Sequence, residues 1–278
     1  SGIERLVGSA FDDILTGAGS NDTLEGGAGD DILAGGGGND TASYAGAAAA
    51  VTVSLAAGVS SGGAGSDILS GFGNIAGSAF DDLLIGDDGA NLIQGADGND
   101  VIDAGLGNDT LDGGAGADTA DYSAAASAVV VDLVAGTATG GAGSDTLVSI
   151  ENVLGSAYDD QLTGDAGSNS LYGGAGNDSL AGGDGDDTLS GGDGDNLLDG
   201  GAGFDTVDYS GAAAGVVVEF ATGTGTGGAG GDTLVSIERV TGSAYEDHIY
   251  GGSGSEAVLA GGGNDLVFGY GGDDALAG

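Results

Sequence analysis

The chain contains no cysteine, proline, methionine or tryptophan. Without cysteine there is no disulfide staple, no thiolate metal site and no cysteine nucleophile. That lack suits a polypeptide crossing an oxidising or unprotected environment. Basic residues are nearly missing too: Lys and Arg total 2 against 44 Asp and Glu, a formal charge of −42. A groove for nucleic acid or for a polyanionic glycan needs many cations, and only Arg5 and Arg239 exist. Attachment to an anionic membrane surface fails for the same reason. The most apolar run, residues 47–59, is too short and too alanine-rich to enter a bilayer. One histidine, His248, cannot form a zinc cluster, and its place in the pattern below puts it on a rim. No GxSxG elbow and no Ser/His/Asp set is present. No signal peptide is visible, and the chain starts in mid-pattern without Met, so it reads as a segment of a longer protein.

What the chain does have is 66 glycines and a surplus of carboxylates. Such a polyanion is expanded when free, and its natural partners are cations. The organising stretch is 173–208, GGAGNDSLA GGDGDDTLS GGDGDNLLD GGAGFDTVD, four nonapeptides on one template, GGxGxDxUx, with U a large apolar residue. The same unit fills four blocks, 8–43, 77–121, 155–208 and 242–277, of four, five, six and four nonapeptides. Three spacers of equal length separate them, at 44–76, 122–154 and 209–241. The distance from one block start to the next therefore grows by one nonapeptide at each step. Indels of single units are tolerable where each unit is one stackable rung.

The spacers keep the pattern. Their middle nonapeptides, 62–70, 140–148 and 227–235, again follow the template. Upstream of these lie VTVSL (51–55), VVVDL (129–133) and VVVEF (216–220). Alternation with β-branched residues reads as a strand with one buried face. Each spacer is therefore expected to be a modified turn of the same coil, with longer strands and a loop, and residues 1–278 one continuous solenoid.

The template has a physical logic. Its glycines admit positive φ in a tight turn and let carbonyl oxygens approach one another. Its last three residues form a minimal strand with one apolar side chain inward. Two nonapeptides make one turn of a flattened coil, and the acidic residue at position six falls at the end of the turn. Position six is Asp13, Asp22, Asp31, Asp40, Asp82, Asp100, Asp109, Asp118, Asp160, Asp178, Asp187, Asp205, Asp247, Asp265 and Asp274, and the spacers add Asp67, Asp145 and Asp232. Stacked turns would surround a hard ion with carboxylate and carbonyl oxygens. Calcium accepts six to eight such ligands in flexible geometry, whereas magnesium demands a near-ideal octahedron. Asn91, Asn169 and Asn196 keep an oxygen but lose the charge, so weaker sites are expected there, and Glu256 is longer and expected to miss the ion. The first unit of each block, GSA(F/Y)(D/E)D, lacks the glycine pair. It is expected to be a degenerate capping rung whose aromatic (Phe11, Phe80, Tyr158 or Tyr245) seals the core.

Other motifs dissolve into the repeat. The acidic run from Asp184 lacks the glycine and the glutamate of an EF-hand loop, Leu189 standing at the glycine position. Carboxylate pairs such as Asp186/Asp187 and glycosylation-like NDT/NDS triplets arise from the template itself.

The nonapeptides resemble those of the RTX (repeats-in-toxin) family over nearly the whole chain. The resemblance implies an all-β parallel β-roll, or β-solenoid, with multiple calcium ions in the turns between short strands. It also implies a protein exported by type I secretion that folds on meeting calcium outside the cell. On this reading the chain is a non-catalytic structural segment of a bacterial surface protein, an adhesin, S-layer or filament component. It would take calcium as its partner and be capable of self-association into a lattice or filament. The alternative is the calcium-binding region of a secreted enzyme or toxin whose catalytic domain lies elsewhere.

Overall fold

The computed structural model describes residues 4–228 and 230–278. Every regular element among them is a short β-strand. The chain divides into two compact units, one of Ser1–Asp121 with Gly136–Ile150, the other of Tyr122–Ala135 with Glu151–Gly278.

In the first unit, successive nonapeptides alternate between two parallel sheets, and each strand pairs with its counterpart two nonapeptides on. Ile14 lies beside Ile32, Thr23 beside Thr41, and Leu83 beside Val101. This is the expected β-roll with two rungs per turn. The position-eight residues Leu24, Leu33, Leu84, Ile93, Ile102 and Leu111 are buried between the sheets. The second unit repeats the scheme. Gln161–Thr163 pairs with Ser179–Asp184, and that strand with Leu197–Ala202, stacking Leu162, Leu180 and Leu198 in one buried row. Leu171, Leu189 and Val207 form the facing row.

Strand alternation explains more than the apolar row. Positions six, eight and the next position one all point inward, so Asp22 and Leu24 are buried while Thr23 and Glu25 are only partly so. The core therefore has a central apolar stripe flanked by carboxylates.

The spacers join the sheets by a route that the periodicity does not reveal. In 44–76, Val51–Ser54 runs parallel to Leu83–Asp87, but Val59–Gly62 runs antiparallel to Val51–Ser54. Ile68–Ser70 then returns to the parallel ladder beside Ile32–Ala34. The short turn 55–58, with Gly58 at φ 69°, reverses the chain before a full rung can form. In 209–241, Thr224–Gly227 is antiparallel to both Val216–Glu219 and Gly230–Val235. The expected longer strands and loop thus include a reversed strand.

The block-opening aromatics do not seal the core. Phe11, Phe80, Tyr158 and Tyr245 are 78, 42, 46 and 49% exposed. Position four lies in the turn at the rim, and the space inside that turn is filled by the position-six carboxylate.

Candidate metal centre

The position-six residues stack into a hydrogen-bonded ladder. The Oδ1 of each accepts the backbone N–H of its counterpart two nonapeptides earlier. Asp13 N–H donates to Asp31 at 2.8 Å, Asp22 to Asp40 at 2.7 Å, and Asp82 to Asp100 at 2.8 Å. Asp100 donates to Asp118, Asp160 to Asp178, and Asp187 to Asp205. Across spacers the step doubles, from Asp31 to Asp67, Asp109 to Asp145, and Asn196 to Asp232. Asp247 and Glu256 donate to Asp265 and Asp274, which are both half-buried.

The second carboxylate oxygen separates the rungs. In Asp31, Asp40, Asp100, Asp109, Asp178, Asp187 and Asp205 the Oδ2 is buried without a hydrogen-bond partner. Burying an ionised oxygen in this way is costly unless something positive reaches it. The surroundings supply only more oxygen. A Cβ on Gly173 would lie against Asp178 Oδ2 and 2.6 Å from the carbonyl oxygen of Gly191. Gly182 meets Asp187 Oδ2 and the Gly200 carbonyl, and Gly95 meets Asp100 Oδ2 and the Gly113 carbonyl, again at 2.6 Å from the carbonyl. Carboxylate and carbonyl oxygens from successive rungs of one sheet thus converge where no donor lies between them.

Among the described residues no three His, Cys, Asp or Glu side chains come together. A cation here would be held by one carboxylate per rung plus backbone carbonyls, a donor set of oxygen alone that fits calcium. Bound there, calcium supplies the positive charge that the buried Oδ2 atoms lack.

Burial acts on these acids in the same sense. It pushes Asp100 up to about 7, and Asp109 and Asp178 up to about 6. Asp31, Asp187 and Asp205 are raised for the same cause, with neighbouring carboxylates adding to it. Asp13 goes the other way, lowered by hydrogen bonds from the Ser9 backbone and hydroxyl.

Several of the other predicted acids have protein partners on their second oxygen as well. Ser78 donates N–H to Asp82 Oδ2 at 2.6 Å and its hydroxyl to Oδ1 at 2.8 Å. Ser156 and Ser243 treat Asp160 and Asp247 alike, and Ala18 N–H reaches Asp22 Oδ2 at 2.5 Å. In the spacers, Asp67 Oδ2 accepts the Tyr44 hydroxyl at 3.0 Å and the Ser60 hydroxyl at 2.8 Å, and Asp232 Oδ2 accepts the Tyr209 hydroxyl at 2.8 Å. Asn91 and Asn169 accept N–H from Asp87 and Asp165, while Asn196 turns its amide Nδ2 toward Asp232 Oδ1 at 2.9 Å. Glu256 Oε2 is buried and unpartnered. His248 sits on a strand, half-exposed, with Nε2 3.8 Å from Glu246.

Two sets of functional residues escaped the sequence reading. The Asn or Asp at position five forms a second ladder in the opposite direction. Asn39 N–H donates to Asn21 Oδ1, Asn99 to Asp81, and Asn177 to Asp159. The recurrent ND and DD pairs were the available signal. Glu238, in a spacer, accepts Asp205 N–H at 2.9 Å and continues the position-six ladder from outside the template.

A family model described as the RTX calcium-binding nonapeptide repeat (4 copies) matches residues 1–42, 72–98, 85–120, 150–180, 172–207, 226–267 and 250–278. A comparison with curated proteins gives no match.

Proposed function

Because this chain belongs to the RTX calcium-binding nonapeptide-repeat family, we propose that it is a calcium-stabilised structural segment of a bacterial surface protein, of adhesin, S-layer or extracellular-filament type. The observation that carries this reading is the row of buried, unpartnered carboxylate oxygens facing backbone carbonyls. In a cytosol poor in calcium those oxygens keep the chain open for export. Outside, the ion closes the roll. The segment itself carries out no catalysis.

Self-association is supported by an apolar row on one outer sheet face of the first unit. Ile14, Ile32 and Ile68 stand in register on neighbouring strands, 76, 45 and 58% exposed, with Val59 beside Ile68. Contiguous exposed apolar residues mark interaction surfaces.

The test is a calcium titration followed by circular dichroism and electron microscopy. The expected result is β-structure appearing at roughly 0.1–1 mM calcium, the range of extracellular modules, followed by sheets or fibres. Full β-structure in excess chelator at neutral pH refutes calcium-driven folding. Folded chains that stay monomeric in calcium refute the assembly role and favour a calcium region serving a catalytic domain elsewhere.

A further inference from the structure

The blocks open differently from how they continue, and the difference lies in one backbone angle. In the rungs that leave Oδ2 unpartnered, the second residue has positive φ, between 85° and 115°, at Gly27, Gly36, Ala96, Gly105, Gly174, Gly183 and Gly201. In the first two rungs of each of the first three blocks, that residue is Ser, Ala or Asp, and its φ is not positive. Its N–H then points at the position-six side chain. Ser9, Ala18, Ser78, Asp87, Ser156 and Asp165 all donate this bond, at 2.5–2.8 Å. The fourth block opens in the same way, with Ser243 donating to Asp247 at 2.6 Å.

We propose that the second residue of each block nonapeptide with Asp or Asn at position six sorts these rungs into two classes. Rungs with positive φ there are open and take calcium on Oδ2. Rungs with a donating N–H are closed, complete their own carboxylate and take none. The opening rungs of the blocks are thus calcium-independent, and Asp13, Asp22, Asp82, Asp160 and Asp247 are structural acceptors.

An independent observation points the same way. Closed rungs accept a neutral residue in the same geometry: Asn91 and Asn169 receive the N–H on Oδ1 at 2.8 and 2.7 Å. A rung that needed its charge to hold a cation would not. Where Asn stands in an open rung, at Asn196 beside Gly192 with φ 84°, its Nδ2 turns inward, placing N–H donors where the other open rungs present oxygen.

The inference rests on the reading that this chain folds around calcium, and the experiment separates the two. Bound calcium per chain is counted by elemental analysis after equilibrium dialysis, for the wild-type chain and for four variants. Asp178→Asn and Asp187→Asn change open rungs, and Asp82→Asn and Asp160→Asn change closed ones. Asn196 shows that an open rung accommodates Asn, and Asn91 shows the same for a closed one, so all four variants are expected to fold in calcium, checked by circular dichroism. The open-rung variants are expected to lose about one ion each, with a higher calcium midpoint of folding. The closed-rung variants are expected to keep the wild-type count. Equal losses in both classes, or no loss in the open class, overturn the sorting. A wild-type chain that retains no calcium overturns the proposed function itself.

Discussion

In the absence of calcium, acid should fold this chain and neutral pH should unfold it. The buried acids set the sign. A carboxylate whose pKa is raised in the fold binds protons more tightly there than in the open chain, so the metal-free fold weakens as pH rises. The loss begins near the ordinary value of 3.8 and is complete only above about 7, where Asp100 ionises. Raising Asp100 to about 7, and Asp109 and Asp178 to about 6, costs each ionised form on the order of 3–4 kcal/mol. Together that is about 10 kcal/mol, which screening by water at the turns reduces to roughly half. The remainder still matches the whole stability of a marginal domain. Calcium reverses the sign, because protons then compete with the ion for the same oxygens. The assay is far-UV circular dichroism from pH 8 to pH 4 in chelator and again in millimolar calcium, with centrifugation to remove precipitate near the pI of about 4.1. In chelator, β-signal should rise on acidification; in calcium it should be full at neutral pH and weaken in acid. A metal-free chain that is fully folded at pH 8, or that loses structure on acidification, refutes the reasoning.

Four further outcomes follow from particular residues. Ala96 holds φ at 90°, so Ala96→Gly should stabilise the calcium-bound fold by roughly 1 kcal/mol, read as a higher denaturant midpoint. Leu189 is fully buried between Leu171 and Val207, and Leu189→Ala should cost about 2–5 kcal/mol by the same measurement. Tyr209→Phe strips Asp232 Oδ2 of its hydroxyl donor and should cost about 1–3 kcal/mol, while Tyr158→Phe, on an exposed ring, should change almost nothing.

The parts of the fold legible in the sequence were those that a period can carry. An apolar residue in every nonapeptide, kept through Leu162, Leu171, Leu180, Leu189 and Leu198, specifies an inward row and the pairing of alternate units. The template also located the acids at the turn ends. It did not show what each acid meets, because that depends on the φ of a residue four positions earlier. Ser78 and Gly174 both look like permissible turn residues, yet one turns its N–H toward the acid and the other away. The aromatics of the opening rungs misled for a related reason. Large apolar side chains suggest a core, but Phe11 occupies a turn position from which no core is within reach. The reversed strand at Val59–Gly62 was invisible because VSSG carries no alternating apolar signal of its own.

Pairing between every second nonapeptide gives the chain a parity. A single inserted unit sends every later rung to the opposite sheet; a pair of them restores the original side. The core is indifferent, since either sheet offers the same inward Leu, Ile or Val. The exterior is not. A side chain displayed after an odd insertion faces the other way, as a letter does when a ribbon is given one more half-twist. The blocks of four, five and six units therefore differ in more than length: a change of one unit reorients the surface that follows without disturbing the fold that carries it.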